Sequence, residues 1–429
     1  SPIMIEIQPV RKPVRATVKV PGSKSYTNRA LLVAALAEGK SHLSGVLFSD
    51  DTERMLDSLQ KLSLQIEIDR DNCTVQIVGN GGQIPVETAD LNIGNAGTVA
   101  RPLVSYAALG HGTYRFDGAA PMRKSRPMAD LLIALRQLGV TVKSEMGNDR
   151  FPLMVVANGL TGGSVRLNAS KSSQFLTSLL MVAPVTEQGM EIELEGALIS
   201  QPYIDITLSV MNTFGASVTN HDYRLFTVPG GQTYQAQHYT IEPDASNASY
   251  FFALAAITGG CLRIDNLNRN SAQGDVKFVE VLEKMGCRVN YLDNGIEVSG
   301  NGTLNGVEVD MNAISDTSLT LTAIAPFATS PTTIRNIEHC RWQETDRITA
   351  MVTELRRLGI EVEEFQDGLR IQPATEIQPA EIETYDDHRM AMSFTLVGLK
   401  KAGVKIKNPA CVNKTFPCYF QVLSQLVEG

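Results

Sequence analysis

The sequence predicts an α/β protein assembled from six similar units, and three observations carry that expectation. First, the chain has 429 residues, more than one ordinary hydrophobic core accommodates, which points to two domains or an array. Second, one phrase recurs five times: a helix-like segment ending in Leu, Met or Phe, usually then Gly, then an alternating strand. The copies begin at Leu59, Leu135, Met211, Leu282 and Leu355, at spacings of 76, 76, 71 and 73 residues, and "LSQLVEG" from Leu423 is a truncated sixth. Third, each copy has the same local chemistry, legible in "RPMADLLIALRQLGVTVKS". Apolar residues at helical spacing bury one face, glycine takes the left-handed cap, and the following strand alternates with period two. A period of about 75 residues suits several strands with two helices, so the units should form compact domains and not a thin solenoid.

Composition narrows the function. Hydrophobic residues make up 43% and charged residues 20% of the chain, as in a soluble globular protein. A formal charge of -8 argues against general nucleic-acid binding, which rewards a basic surface, so any anion site must be a local cluster. The six cysteines (Cys73, Cys261, Cys287, Cys340, Cys411, Cys418) contain no C-x-x-C pair, which indicates neither a zinc site nor a disulfide framework and suits reduced, cytoplasmic thiols. No apolar run reaches the roughly 18 residues of a membrane span, and "SPIMIEIQPV" has no charged-then-apolar signal pattern.

Along the chain, four stretches combine cations, small hydroxyl residues or glycine with the start of a helix. In "VPGSKSYTNRALLVAALAEG", Lys24, Ser25 and Arg29 precede or open an apolar helix whose N-cap is expected near Thr27 or Asn28. Free N–H groups and the positive helix end favour an anion there. Taken alone, "GSKS" suits a solvated loop lysine equally well, and the first glycine of a nucleotide P-loop is missing. "LNIGNAGTVARPL" then places Gly94, Gly97 and Thr98 before Arg101, with glycines that allow close backbone approach. "MRKSRPMADLL" sets Arg123, Lys124 and Arg126 before a helix, and "NASKSSQFLTSLLMVAP" offers Lys171, Ser172, Ser173 and Gln174 at another. Four such helix mouths in one acidic chain indicate a shared anion site.

The second half carries more carboxylates: Asp316 in "NAISDTSLT", Glu344, Asp346 and Arg347 in "QETDRITAMVTELRRLG", Asp386 to Arg389 in "YDDHRMAMSF", and Lys414 in "CVNKTFPCYF". Carboxylates beside cations suit proton transfer next to a bound anion, because an adjacent charge tunes acidity. Asp346 and Asp386 read as helix-capping carboxylates, and His388 as structural.

Together, "PGSKSYTNRALLVAALAEG", "GNAGTVARPL", "SSQFLTSLLMVAP", "QPYIDITL", "ETDRITAMVTELRRLG", "YDDHRMAMSF" and "NKTFPCYF", in this order, resemble the 5-enolpyruvylshikimate-3-phosphate (EPSP) synthase family, enolpyruvyl transferases of aromatic amino-acid biosynthesis. The resemblance runs from about Ile7 to Phe420. It implies a two-domain inside-out α/β barrel, each lobe made of three βαβαββ repeats with helices buried and sheets outside. One lobe would span 22–239, the other 1–21 plus 240–429. It also implies reaction of shikimate 3-phosphate with phosphoenolpyruvate in a cleft between the lobes, without metal or organic cofactor, in a cytoplasmic monomer that binds neither nucleic acid nor membrane and is open to inhibition by glyphosate.

Carried over by position, the family pattern assigns phosphoenolpyruvate to Lys24, Gly97, Arg126, Gln174, Arg347, Arg389 and Lys414. It assigns shikimate 3-phosphate to Lys24, Ser25, Arg29, Ser172, Ser173, Ser200, Tyr203, Asp316, His339 and Gln343. The catalytic set would be Asp316 as base on the 5-hydroxyl, Glu344 as proton carrier at the methylene carbon, and Lys24 and Lys414 at the phosphate. Gln343 and His339 depart from the family's usual Lys and Asn. Losing the lysine removes a charge-assisted hydrogen bond worth roughly 1.5–3 kcal/mol, which should raise a substrate KM sooner than abolish activity. Two other readings fit the residues less well. UDP-N-acetylglucosamine enolpyruvyl transferases carry "AKN" for "SKS" and a loop cysteine where this chain reads "GAAPMRKSRP". A non-catalytic binder of a phosphorylated acid finds support only in Gln343 and His339.

Overall fold

Each copy of the recurring phrase ends its helix in a left-handed residue. Gly139, Gly215, Gly286 and Gly359 have φ of 86°, 92°, 107° and 78°, and in the first copy, which lacks the glycine, Ser63 takes φ 67°. The helix must turn back into a strand at this point, and a left-handed residue lets it do so within two positions. The computed structural model describes residues 3–124 and 126–428, and the chain divides into two units, Gly22–Glu242 and Ser1–Pro21 with Pro243–Gly429.

In Gly22–Glu242 the repeat is clearest in its middle copy. Thr88–Asn92, the helix Gly97–Ala107, His111–Asp117, the helix Ala129–Gln137, Thr141–Ser144 and Leu153–Asn158 follow one another as βαβαββ, with a short helix Ala120–Lys124 inserted. The first two strands pair in parallel because a helix connects them, whereas Leu153–Asn158 pairs antiparallel with both His111–Asp117 and Thr141–Ser144. Gly163–Asn168 and Gly189–Glu195 begin the next four-stranded sheet in the same way. The first copy lacks an opening strand, and the unit's last strand, His238–Thr240, fills the vacancy. It lies parallel to Glu38–Ser44, with His238 opposite His42.

The unit Ser1–Pro21 with Pro243–Gly429 is built likewise. Arg15–Thr17 pairs in parallel with Cys261–Asp265, and Glu308–Asp310 with Thr332–Arg335. The sixth copy is described as far as the helix Tyr419–Glu428. Its sheet has three strands, and Met4–Glu6 supplies the third, antiparallel to Val404–Lys407. The N-terminal segment therefore contributes two strands to two different sheets.

Which helices are buried follows from composition. The first helix of every repeat is apolar on all sides, as a core helix must be. Lys24–Leu36, Gly97–Ala107 and Gln174–Val182 are buried over nearly their whole length in one unit, and Ala245–Thr258, Ser318–Ile324 and His388–Lys400 in the other. Each trio packs together, and the sheets cover it with one face: Thr74–Asn80 alternates strictly between buried and partly exposed residues. Helices inside and sheets outside are what the resemblance implies. A buried helix still has a polar start, and those starts are where the charged motifs lie.

The left-handed position gives a direct test. Replacing Ser63 by Gly should stabilise the protein by about 0.5–1 kcal/mol, since only glycine adopts that backbone without strain. Gly139→Ala, where an added methyl meets nothing within 4 Å, should destabilise by a similar amount. Urea midpoints at unchanged slope would report both; a destabilising Ser63→Gly would contradict the account.

Candidate active site

In the unit Gly22–Glu242, three buried helix starts and one amphipathic helix start converge on a pocket of about 310 Å³. Its lining includes Lys24, Ser25, Arg29, Ser172, Ser173, Gln174, Ser200 and Tyr203, eight positions expected from the sequence. The first helix begins earlier than expected. Ser23 caps it, accepting from Tyr26 N at 3.3 Å, so Thr27 and Asn28 are already helical and Asn28 lines the pocket. Ser200 caps the helix Gln201–Thr213 with φ 57°, an uncommon conformation for serine. Gly97 and Arg126 lie beside one another. A methyl group on Gly97 would sit 3.8 Å from Arg126 Cδ and 3.8 Å from Arg101 Nη1, so alanine fits the chain there and takes space only from whatever occupies the gap.

The charge in this unit is unbalanced. Arg29 is 8% exposed; its Nε donates to Thr207 Oγ1 at 2.8 Å and its Nη1 to Ser25 O at 3.1 Å. Among the described residues no carboxylate pairs with it, and burial brings its pKa down to about 10, which still leaves a full charge at neutral pH. Arg101, also buried, donates to Gln174 Oε1 and to Pro127 O at 3.1 Å. Burial and the charge of Arg126 lower it, also to about 10. Lys24 has a carboxylate at 3.5 Å, Asp51, which also accepts from Thr98 Oγ1 at 3.0 Å. Desolvating two guanidinium groups without counter-charges is costly, and an anionic ligand is the natural compensation.

In the other unit the buried arginines meet carboxylates, and Arg347 is saturated. Arg347 opens the helix Arg347–Arg357 and meets Asp387 through two bonds of 2.8 and 3.1 Å, Asp316 at 3.2 Å, Glu344 at 2.5 Å and Gln343 Oε1 at 2.8 Å. Arg389 reaches Asp316 at 3.5 Å and donates to the Tyr250 hydroxyl at 3.3 Å. His339 Nε2 lies 2.9 Å from Ser315 Oγ, beside Asp316. Lys414 pairs with Asp386 at 3.4 Å. Burial pushes the Asp316 carboxyl up, but Arg389 and Arg347 outweigh it and hold the group below its usual range. Gln343 is here an acceptor for Arg347, a part that a lysine could not play.

The sequence reading located these groups but not all their partners. Asp346 caps its helix as expected, accepting from Thr349 N at 3.0 Å. The second capping carboxylate is Asp387, which accepts from Arg389 N at 3.0 Å, and not Asp386, whose left-handed backbone turns it toward Lys414 and Asn408. His388 is buried. Asp51 and Tyr250 lie outside the expected set. Asp51 could have been found from the repeat, since it stands in the first turn of a second helix, and Arg126 and Ser200 stand just before theirs in the next two copies.

Fold and site define an α/β protein of six repeats on a βαβαββ plan, whose helix starts gather lysines, arginines, hydroxyls and carboxylates. The chain belongs to the EPSP synthase family: the family model for EPSP synthase (3-phosphoshikimate 1-carboxyvinyltransferase) matches residues 9–423. A 3-phosphoshikimate 1-carboxyvinyltransferase of Nostoc punctiforme is 51% identical over 424 residues, covering 99% of both chains. That of Sulfurovum sp. is 46% identical over 98% of this chain and 99% of its own. Among solved structures, the EPSP synthase of Acinetobacter baumannii superposes with a TM-score of 0.87 at 25% identity, covering 99% of this chain and 98% of the other. No helix of the described residues is long and apolar enough to cross a membrane.

The Arg347 cluster predicts a large mutational cost. Asp387 is fully buried, so Asp387→Ala should destabilise by about 3–5 kcal/mol by leaving Arg347 short of its main counter-charge. Denaturant unfolding followed by circular dichroism checks this; a loss below about 1 kcal/mol would contradict it.

Proposed function

We propose that this chain transfers the enolpyruvyl group of phosphoenolpyruvate to the 5-hydroxyl of shikimate 3-phosphate and releases inorganic phosphate. The reading rests on family membership over the whole chain, and the observation that carries it to particular residues is the buried Arg29, with no carboxylate partner among the described residues, in a pocket with Lys24, four serines of the expected set and Gln174. Such a pocket suits a small phosphorylated acid: backbone donors and hydroxyls take phosphate oxygens, and the guanidinium takes a carboxylate.

The chemistry is addition followed by elimination. Asp316 accepts the proton of the 5-hydroxyl as its oxygen bonds to C2 of phosphoenolpyruvate, and C3 receives a proton from the acid form of Glu344. The tetrahedral intermediate then returns a C3 proton to Glu344 while the C2–O bond to phosphate breaks, with Lys414 neutralising the departing charge. Lys24, Arg126, Arg347 and Arg389 offset the mutual repulsion of two polyanions, an effect strongest where water is excluded. A cytoplasmic, monomeric enzyme is part of the same reading.

The direct test is phosphate release with both substrates and with each omitted; release only with both supports the reading, and none with both refutes it. Two variants probe the roles. Glu344→Gln should lower kcat by at least about 100-fold with little change in KM, whereas an equal rise in KM at constant kcat would remove Glu344 from the proton path. Gly97→Ala should fold normally and raise KM for phosphoenolpyruvate; an unchanged KM would displace that substrate from Gly97.

A further inference from the structure

Asp316 presents a chemical difficulty. A carboxylate held between Arg347 at 3.2 Å and Arg389 at 3.5 Å is stabilised as the anion and is a weak base, yet the proposed reaction asks it to take a hydroxyl proton. A neighbouring negative charge would restore its proton affinity. Most carboxylates in this part of the unit are already engaged. Asp387 is bound twice by Arg347, Glu344 once, and Asp244 caps the helix Ala245–Thr258 through Asn247 N at 2.8 Å.

Asp275 is different. It stands in the turn Gly274–Lys277, which packs against the turn Asn312–Thr317 that carries Asp316 and against the start of the helix Ala245–Thr258. Ser246 Oγ donates to Asp275 Oδ2 at 2.5 Å, and among the described residues no cation pairs with Asp275. The charged groups that act on it are Asp316, Arg389 and Asp244. Lys277 and Glu280, on its own turn and the next helix, are exposed. The repeat supplies an independent pointer. Asp275 stands three residues before the second helix of the fourth copy, Phe278–Lys284, and Arg126 and Glu344 stand three residues before theirs, Ala129–Gln137 and Arg347–Arg357.

We propose that Asp275 is a positioning residue for the transfer reaction: fixed by Ser246 and adjoining Asp316 and Arg389, its charge sets how strongly Asp316 takes the proton of the substrate hydroxyl. This rests on the reading of Asp316 as the base. Burial, and then the charge of Asp316, push Asp275 up to about 7. Below neutrality Asp275 is the neutral acid, and the two arginines dominate Asp316. As pH rises through that range Asp275 becomes an anion, two negative charges share the arginines, and Asp316 becomes the stronger base. One proton leaves Asp275 to solvent, and no other bond changes.

The test is kcat against pH for the full-length protein with both substrates saturating. The wild type should show a rise across pH 7. Asp275→Asn, permanently neutral and of the same shape, should match it within about twofold at pH 5.5 and fall about three- to tenfold below it at pH 8.5, with no rise in KM for phosphoenolpyruvate. Ser246→Ala removes a hydrogen bond that lowers Asp275, so its step should move to higher pH and provide a second arm should Asp275→Asn not fold. A wild-type to Asp275→Asn ratio that is constant across pH, as a merely structural role gives, would overturn the proposal. If the wild type releases no phosphate at any pH, the proposed activity has failed, and the carbon-13 shift of the Asp275 carboxyl decides the coupling. A midpoint near 7 that drops in Asp316→Asn supports it; an ordinary carboxylate midpoint overturns it.

Discussion

A charged group taken out of water must be answered by something, and in the unit Gly22–Glu242 Arg29 meets no carboxylate among the described residues. Burial of an arginine beside hydroxyls and a backbone carbonyl costs several kcal/mol relative to a paired or exposed one. The fold meets that cost because the rest of the helix that carries Arg29, Ala30 to Leu36, is apolar and buried at the centre of the unit. Stability from the core thus holds a charge in an unfavourable place. The same relation recurs at Arg101, whose guanidinium lies 5.1 Å from the centre of the Phe175 ring and is held by carbonyl oxygens alone.

The other unit solves the inverse problem. Arg347 and Arg389 are also buried, but each has carboxylates within reach, and Asp316 belongs to both. Cations shared among several carboxylates bind an added anion less tightly than free ones. In exchange they fix the direction of those carboxylates. One unit leaves buried arginines without carboxylate partners among the described residues, and the other surrounds its buried arginines with carboxylates. Repetition makes this division possible, because each copy offers two helix starts whose side chains differ between copies while the apolar body of the first helix is kept.

Much of this was legible in the sequence. The five spaced phrases exposed the repeat, and the runs of Lys, Arg, Ser and Gly before apolar segments marked the helix starts. Less legible was everything that depends on contacts between distant positions. Ser63 could not be distinguished from a helix breaker until its backbone was seen to do the work of glycine. The split of the N-terminus between two sheets depends on Met4–Glu6 completing a copy that ends more than 400 residues later. Asp387 and Asp386 are adjacent and identical, and only the left-handed turn at Asp386 decides which one caps the helix and meets Arg347. Asp275 lies in a stretch, "NSAQGDVKF", with no cationic or glycine-rich signature, and its position within the repeat was its sole clue.

The claim that buried unpaired charge is kept for an anion separates stability from function and can be measured on one variant. Arg29→Met keeps the volume and removes the charge, so titration calorimetry with shikimate 3-phosphate and urea unfolding should move in opposite directions. The account predicts binding weakened by about 100-fold or more, since a charge-assisted pair is lost, with stability unchanged or raised. Binding that stays within a few fold of wild type while stability drops would mean that Arg29 serves the fold and not the ligand.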